Sequence, residues 1–321
     1  MIPKPHCNIY IASYEKDGGI YHYHFDLQGA LEFASFTPLD RPMYMTVDGN
    51  KMHVLLRQPF ENNQSGLITF DINEDGVPTN PSEIVSTNGE VACHLTAKEN
   101  NVYCVNYISG SVTKIPDKTI LHHGKGINPE RQSSPHTHFV DFTPDKKYLC
   151  VTDLGLDSIF IYNKDLNPIN QYKVPSGHGA RHLAFSSDGK YCFVVNELES
   201  SVSVFKYSNG QLDYITTENC LPNDFNGIST ASAIRLYNGL IYTSNRGHDS
   251  ISQLSFDGEN LKLLQTIDCQ GKTPRDFIFI GDYLFSANQD SNSLSVLAPL
   301  DHAFVLKEQI SIKTPICITY V

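Results

Sequence analysis

The chain has 321 residues and a formal net charge of −11, from 35 acidic and 24 basic side chains, which argues against binding a phosphate backbone, a task that needs a cationic surface. Charged residues make up only 18%, Trp is absent, and Tyr and Phe contribute 17 each beside 21 Gly, a composition that suits sheet better than helix. No apolar run approaches a membrane span, and the start MIPKPHCNIYIASY has no basic segment leading into an apolar one, so we expect a cytoplasmic protein with no membrane contact.

Along the chain one pattern recurs: a short apolar strand, a tight turn, a second apolar strand, a polar loop and an alternating third strand. A partial copy lies in NIYIASYEKDGGIYHYHF, and weaker ones begin at Met45 (MTVDGNKMHVLLRQPF) and His94 (HLTAKENNVYCVNYISGSVTKI). After the segment 116–135, the longest insert and expected to be a loop on one face, come FVDFTPDKKYLCVTDLGLDSIFIY at 139–162 and HLAFSSDGKYCFVVNELESSVSVF at 182–205. These two superpose with a shift of 43 residues. Two further copies start at Ala233 and Arg275.

In the clearest copy Leu183-Ala184-Phe185 reads as the first strand. Ser187-Asp188-Gly189-Lys190 reads as the turn, with Gly supplying positive φ, and Tyr191–Val195 and Val202–Phe205 as the next two strands. A fourth strand is expected from segments such as 213–217 and 261–267. The residues just after each second strand are Tyr14, Arg57, Tyr107, Leu154, Glu197, Arg246 and Gln289, spaced 43 to 50 apart. Seven units of that period predict an all-β fold, a seven-bladed β-propeller of four-stranded antiparallel blades forming one domain over 1–321. The terminal TPICITYV resembles a first strand without its followers, and the N-terminal copy lacks a first strand. The two ends are therefore expected to share a blade and close the ring.

Differences between repeats point to the site, because a ring converges equivalent positions on one channel. At the start of the first strand, superposition puts His138, Arg181 and Arg275 in one position; after the second strand it puts Glu197, Arg246 and Arg57 in another. Four of the seven Arg thus fall on two equivalent positions, with Arg235 one step away, a focus for an anionic ligand in an acidic protein. Pairing with carboxylates such as Asp276 or Asp249 would instead only stiffen the ring. Glu197 among these cations would have a depressed pKa and orient water or a ligand hydroxyl, or simply pair with Arg181 or Arg246. His136 and His138 share a side of an extended segment and could chelate a metal, but no third ligand is readable, so no metal or other cofactor is expected. His182 is expected to pack under its strand. The eight Cys show no CxxC pair, no close Cys/His ligand cluster and no Cys–His pair at a readable nucleophile spacing, and no G-x-S-x-G elbow occurs, so covalent catalysis is disfavoured and reduced, buried thiols are expected.

SPHTHFVDFTPDKKYLCVTDLGLDSI, GHGARHLAFSSDGKYCFVVNELESSVSVF, SAIRLYNGLIYTSNRGHDSI and GKTPRDFIFIGDYLFSANQDSNSL resemble the seven-bladed propeller lactonase family. That family includes a bacterial 6-phosphogluconolactonase and a fungal carboxymuconate-lactonising enzyme. The resemblance spans NIYIASY to TPICITYV and implies a site of His138, Arg181, Glu197 and Arg246. Where many members have the turn SPDG, this chain has shortened hairpins at Tyr237-Asn238-Gly239 and Ile280-Gly281-Asp282.

The resemblance and the cation cluster together imply metal-free hydrolysis of a sugar-derived, phosphorylated or carboxylated lactone. His138 or Glu197 would activate water, His138 being the favoured base. Arg181 would stabilise the oxyanion, Arg246 and Arg275 would hold the anionic group, and His136, Asn196 and Asn245 would be further substrate contacts. Formation of a lactone from an unsaturated diacid, or a non-catalytic binding scaffold, are the alternatives, and the sequence leaves the oligomeric state open.

Overall fold

Each repeat becomes one blade in a computed structural model that describes residues 6–26, 28–301 and 303–321. In the clearest repeat the strands run Ala180–Phe185, Tyr191–Asn196, Ser201–Ser208 and Gln211–Asn219, all antiparallel and paired in chain order. Among the described residues seven such sheets form and no helix does. The shortened hairpins hold their register: Tyr237 pairs with Leu240 across Asn238 and Gly239, both at positive φ, the requirement of the tightest hairpin turn.

The first strands are the innermost: Pro42–Asp48, Ala92–Lys98, Thr137–Phe142, Ala180–Phe185, Thr230–Tyr237, Pro274–Ile280 and Pro315–Tyr320. Each touches the next, and the last touches the first, so the ring is closed. Closure comes from pairing Pro315–Tyr320 with His6–Ser13, which makes the C-terminal strand the inner strand of the N-terminal blade, as expected. Seven apolar clusters, each formed mainly by two neighbouring blades, fill the wedges between sheets among the described residues; Val140 and Phe142 packing with Tyr103 and Val105 are typical.

Two blades depart from the expected plan. In the second, the outer position is split between Pro78–Thr79 and Val85–Glu90, which both pair with Gln64–Ile72. In the third, Lys118–Leu121 forms the outer strand, so the predicted loop 116–135 is a strand followed by a loop that runs on to the next inner strand.

One irregularity repeats around the ring. Near the start of each inner strand the pairing with the second strand slips, leaving a bulged residue: Met43, Cys93, His138, Arg181, Arg275 and Ile316, with Ser232 and Ala233 together in the sixth blade. A bulge re-aims the side chain it carries. Here the bulged positions of six blades line the channel recesses, which is why His138, Arg181 and Arg275 share one position when the repeats are superposed.

Candidate active site

At one mouth of the channel lies a recess of about 270 Å³. The bulged Met43, Cys93, His138 and Arg275 form its inner part, and Arg57, Tyr107 and Glu197, just beyond a second strand, with Arg246, the last residue of one, form its wall. The wall is fixed through the backbone. The amide of Glu197 donates to the carbonyl of Gly179, and Arg57, Tyr107 and Gln289 make the equivalent bond in their blades. Arg131 completes the recess from the loop after Lys118–Leu121. That loop is pinned by the fully buried Gln132, whose side-chain amide donates to the Leu154 carbonyl and the Asp157 carboxylate.

Three guanidiniums converge on one carboxylate. Arg181 Nε donates to Glu197 Oε2 at 2.9 Å, Arg246 Nη2 lies 3.1 Å from the same oxygen, and Arg131 Nη2 donates to Oε1 at 2.6 Å. Burial works to raise the pKa of Glu197, but Arg246, Arg181, His138 and Arg131 together outweigh it and hold the group well below the usual carboxylate range. Arg57 and Arg275 line the same recess without a carboxylate partner among the described residues; Arg275 Nη1 reaches only the Gln289 amide oxygen, at 3.4 Å. Five guanidiniums thus gather about one ionised carboxylate, and the geometry is that of the ion pair expected with Arg181 or Arg246, extended to both and to Arg131.

His138 is buried beside this cluster, and burial followed by the field of Arg181 pushes its pKa well below 6.5, so its imidazole is neutral at pH 7. The Cys93 Sγ lies 3.8 Å from His138 Nδ1 and 3.6 Å from the carbonyls of Thr137 and His138. Burial pushes this thiol up to about 12, so it is no thiolate nucleophile at pH 7. Behind His138 come His182 and His94, with ring centroids 5.3 and 5.2 Å apart in succession. Arg181 Nη1 donates to His182 Nε2, which puts the His182 proton on the buried, unpartnered Nδ1.

Several expected contacts lie elsewhere. Arg181 sits beneath the recess, 2% exposed, with Nε given to Glu197 and Nη1 to the Ser232 carbonyl, so its side chain is committed to holding Glu197 instead of meeting an oxyanion. Asn196 and Asn245 are fully buried inside their blades, where Nδ2 donates to Ser201 and Ser203 or to Ser250 and Ser252. They tie the second strand to the third, and neither lines the recess. His136 stacks flat on Tyr107 and donates through Nδ1 to its carbonyl, which supports the wall from outside. Arg235 pairs with Asp276 at 2.6 Å toward the opposite mouth. Among the described residues no group of three His, Cys, Asp or Glu side chains is placed to hold a metal.

The opposite mouth holds a larger recess of about 590 Å³, but its Arg235 is already neutralised by Asp276 and aromatic rings such as Tyr44, Phe139 and Phe185 line much of it. Between the two lies a void of only about 10 Å³, lined by Met43, Tyr44, Cys93, Arg181, His182 and Arg275 among others. The guanidiniums concentrate at the smaller recess.

Arg131, Tyr107 and Cys93 are members of the site that repeat superposition did not single out. Cys93 was readable, since CHLTAKEN aligns with RHLAFSSD and puts Cys93 on the position of Arg181. Tyr107 stands on the same ruler as Glu197. Arg131 lies in an insert with no counterpart in other repeats and so had no such signal.

The family model described as "Lactonase, 7-bladed beta-propeller" matches residues 8–319. A 6-phosphogluconolactonase of Bacillus subtilis is 30% identical, with 97% of each chain covered. An uncharacterised Staphylococcus epidermidis protein is 31% identical over 88% of this chain and 90% of its own length. A Bacteroides fragilis protein of known crystal structure superposes with a TM-score of 0.89 at 26% identity, over 100% of this chain and 99% of its own. The periplasmic gluconolactonase of Pseudomonas aeruginosa, 22% identical, shares the fold with a TM-score of 0.89 over 99% of each chain.

Proposed function

The chain belongs to the seven-bladed β-propeller lactonase family, and we propose that it hydrolyses a sugar-derived lactone carrying an anionic group, with 6-phosphogluconolactone the first substrate to test. It is a hydrolase acting on a cyclic ester; the substrate and the mechanism are our inference. The observation that carries it is the charge of the recess, four guanidiniums lining it and a fifth, Arg181, beneath, with a single carboxylate among them, in a chain of net charge −11. Such a concentration of fixed cations focuses an anion, and guanidinium suits phosphate or carboxylate geometry. Arg57 and Arg275, without a carboxylate partner among the described residues, are left for a ligand anion.

In this mechanism water adds to the lactone carbonyl carbon while His138 takes its proton. Arg246 and Arg275, which line the recess where Arg181 does not, meet the developing oxyanion. The tetrahedral intermediate collapses by breaking the ring C–O bond, and the proton on His138 passes to the departing alkoxide, giving a hydroxy acid. Glu197 is too acidic to be an effective base at pH 7, so its part is to hold Arg181 and Arg246 and to orient water or a sugar hydroxyl. Aldonolactones open unaided near neutrality, so modest rate acceleration suffices.

Eight thiols, none joined in a disulfide, suit a reducing, cytoplasmic setting. No helix among the described residues is long and apolar enough to cross a membrane. The test is a pH-stat screen of lactones with and without phosphate. Hydrolysis of 6-phosphogluconolactone well above the spontaneous rate is expected. Ring formation from muconates with no lactone hydrolysis would overturn the reading.

A further inference from the structure

The three cations on Glu197 are not held alike. Arg181 and Arg246 come from the strands of the ring, and their guanidiniums also bond to the carbonyls of Ser232 and of Ala231. Their side chains are 2% and 15% exposed. Arg131 comes from the insert, its side chain is 40% exposed, and Glu197 is its only carboxylate partner among the described residues. Its backbone is fixed by Asn128, whose Oδ1 accepts the amides of Glu130 and Arg131, and by Gln132. Only the side chain is free to redirect, and the Tyr107 phenol beside it gives a polar surface to turn on.

Glu197 is nonetheless fully engaged, with Oε2 taken by Arg181 and Arg246 and Oε1 by Arg131. For Glu197 to orient a sugar hydroxyl one of the three must give way. Arg131 is the one whose departure leaves a buried carboxylate still doubly paired and no guanidinium stranded out of water.

Building on the lactonase reading, we propose that Arg131 is the specificity residue of the recess: on binding it exchanges Glu197 Oε1 for the dianionic phosphate of the lactone, and so frees Oε1 to accept a hydrogen bond from the substrate. Arg57, in the same recess and likewise without a carboxylate partner among the described residues, is the second cation of this phosphate subsite. A phosphate monoester satisfies both guanidiniums, whereas an unphosphorylated lactone gives Arg131 no reason to leave Glu197. The exchange therefore couples recognition of the distal group to the arrangement around the reacting carbonyl.

The test uses the full chain as wild type, Arg131→Gln and Arg131→Lys, with two readouts. In the first, inorganic phosphate is titrated calorimetrically, which needs no turnover. Arg131→Gln is expected to weaken binding by about 10- to 100-fold, the value of one charge-assisted contact, and Arg131→Lys to recover part of it. In the second, gluconolactone and its 6-phosphate are compared. The glutamine variant should lose about 10- to 100-fold more in kcat/KM on the phosphate ester than on the unphosphorylated lactone, because only the ester offers Arg131 a phosphate. A merely structural Arg131 would lower both rates together. Equal losses on the two lactones, unchanged phosphate affinity in Arg131→Gln, or a wild type that binds no phosphate would each overturn the proposal. A wild type that binds phosphate through Arg131 yet hydrolyses neither lactone would instead overturn the lactonase reading alone. Arg131 is partly exposed on a loop anchored by its neighbours, and a melting temperature within a few degrees of wild type confirms that the variants fold.

Discussion

Arg181 and Glu197, sixteen residues apart in one blade, meet through Nε and Oε2 at 2.9 Å with both side chains closed off from solvent. One is the bulged residue of the inner strand and the other the first residue beyond the second strand, so the hairpin register itself brings them together. Each compensates a charge that could not otherwise be buried. Arg181→Met is expected to destabilise the fold by about 3 kcal/mol, the low end for breaking a buried pair, because Arg246 and Arg131 still face the carboxylate. Adding Glu197→Gln should recover part of that loss. Denaturant unfolding of the two single variants and the double variant measures the coupling, and strictly additive losses would show that the pair is not energetically linked.

His138→Asn is expected to lower turnover by about two to four powers of ten with little change in KM, the range for a lost general base. Glu197→Gln should cost less in turnover and more in KM, since it weakens the acceptor offered to the substrate hydroxyl while Arg275 still lines the recess. Steady-state kinetics on the active lactone separates the two cases.

The acid limb of the pH-rate curve follows from the environment of His138. An isolated imidazole base would lose activity below about 6.5. Burial and Arg181 shift His138 downward, so the kcat/KM limb, which reports the free enzyme, should fall clearly below 6.5. A bound dianion offsets the field of the arginines, so the kcat limb should lie at higher pH than the kcat/KM limb. Coincident limbs at 6.5 would mean that a different group is titrating.

Stability should depend on pH for a related reason. His94, His138 and His182 are all held neutral, chiefly by burial and then by neighbouring guanidiniums, with pKa values well below 6.5. The unfolded chain takes up protons on these rings as pH falls through about 6.5 while the folded chain does not, so unfolding becomes easier in that window. Three such groups give a slope of up to about 4 kcal/mol per pH unit, before ordinary carboxylates titrate. Urea midpoints from pH 7 to 5 test this, and His94→Gln should remove about a third of the slope.

Deleting residues 314–321 removes an inner strand whose Ile316, Cys317 and Ile318 are buried, and it unpairs His6–Ser13 on its inner side. The expected result is aggregation or a fall in melting temperature of 10 °C or more, from an open edge and two half-empty wedges. Full solubility and an unchanged melting temperature would show that the ring does not depend on this pairing.

The repeat made the architecture legible, because seven copies of one strand-turn-strand pattern leave little else to build. It also made legible those site residues that occupy equivalent positions, His138, Arg181, Arg275, Glu197, Arg246 and Arg57. What it could not convey was depth. Asn196 and Asn245 adjoin Glu197 and Arg246 in sequence, but strand alternation turns them into their own sheets, where Ser hydroxyls absorb them. Arg181 and Arg275 share a position, yet only Arg275 lines the recess, because Glu197 draws Arg181 down against the Ser232 carbonyl. Arg131 was hidden for the opposite reason, since it arrives from the one long insert and its partner is 66 residues away.

The narrow waist between the two mouths makes the recess a blind alley. A void of about 10 Å³ has room for little more than a single water molecule, so whatever is formed there must back out the way its precursor came in. Opening a lactone adds a carboxylate, so the product leaves carrying one more negative charge than the substrate brought, past the same arginines that drew it in. On the proposed function, departure is expected to be helped by dissolved anions that screen those arginines. Added chloride is then expected to slow capture, which governs the rate at low substrate concentration, and to hasten release, which governs it at high.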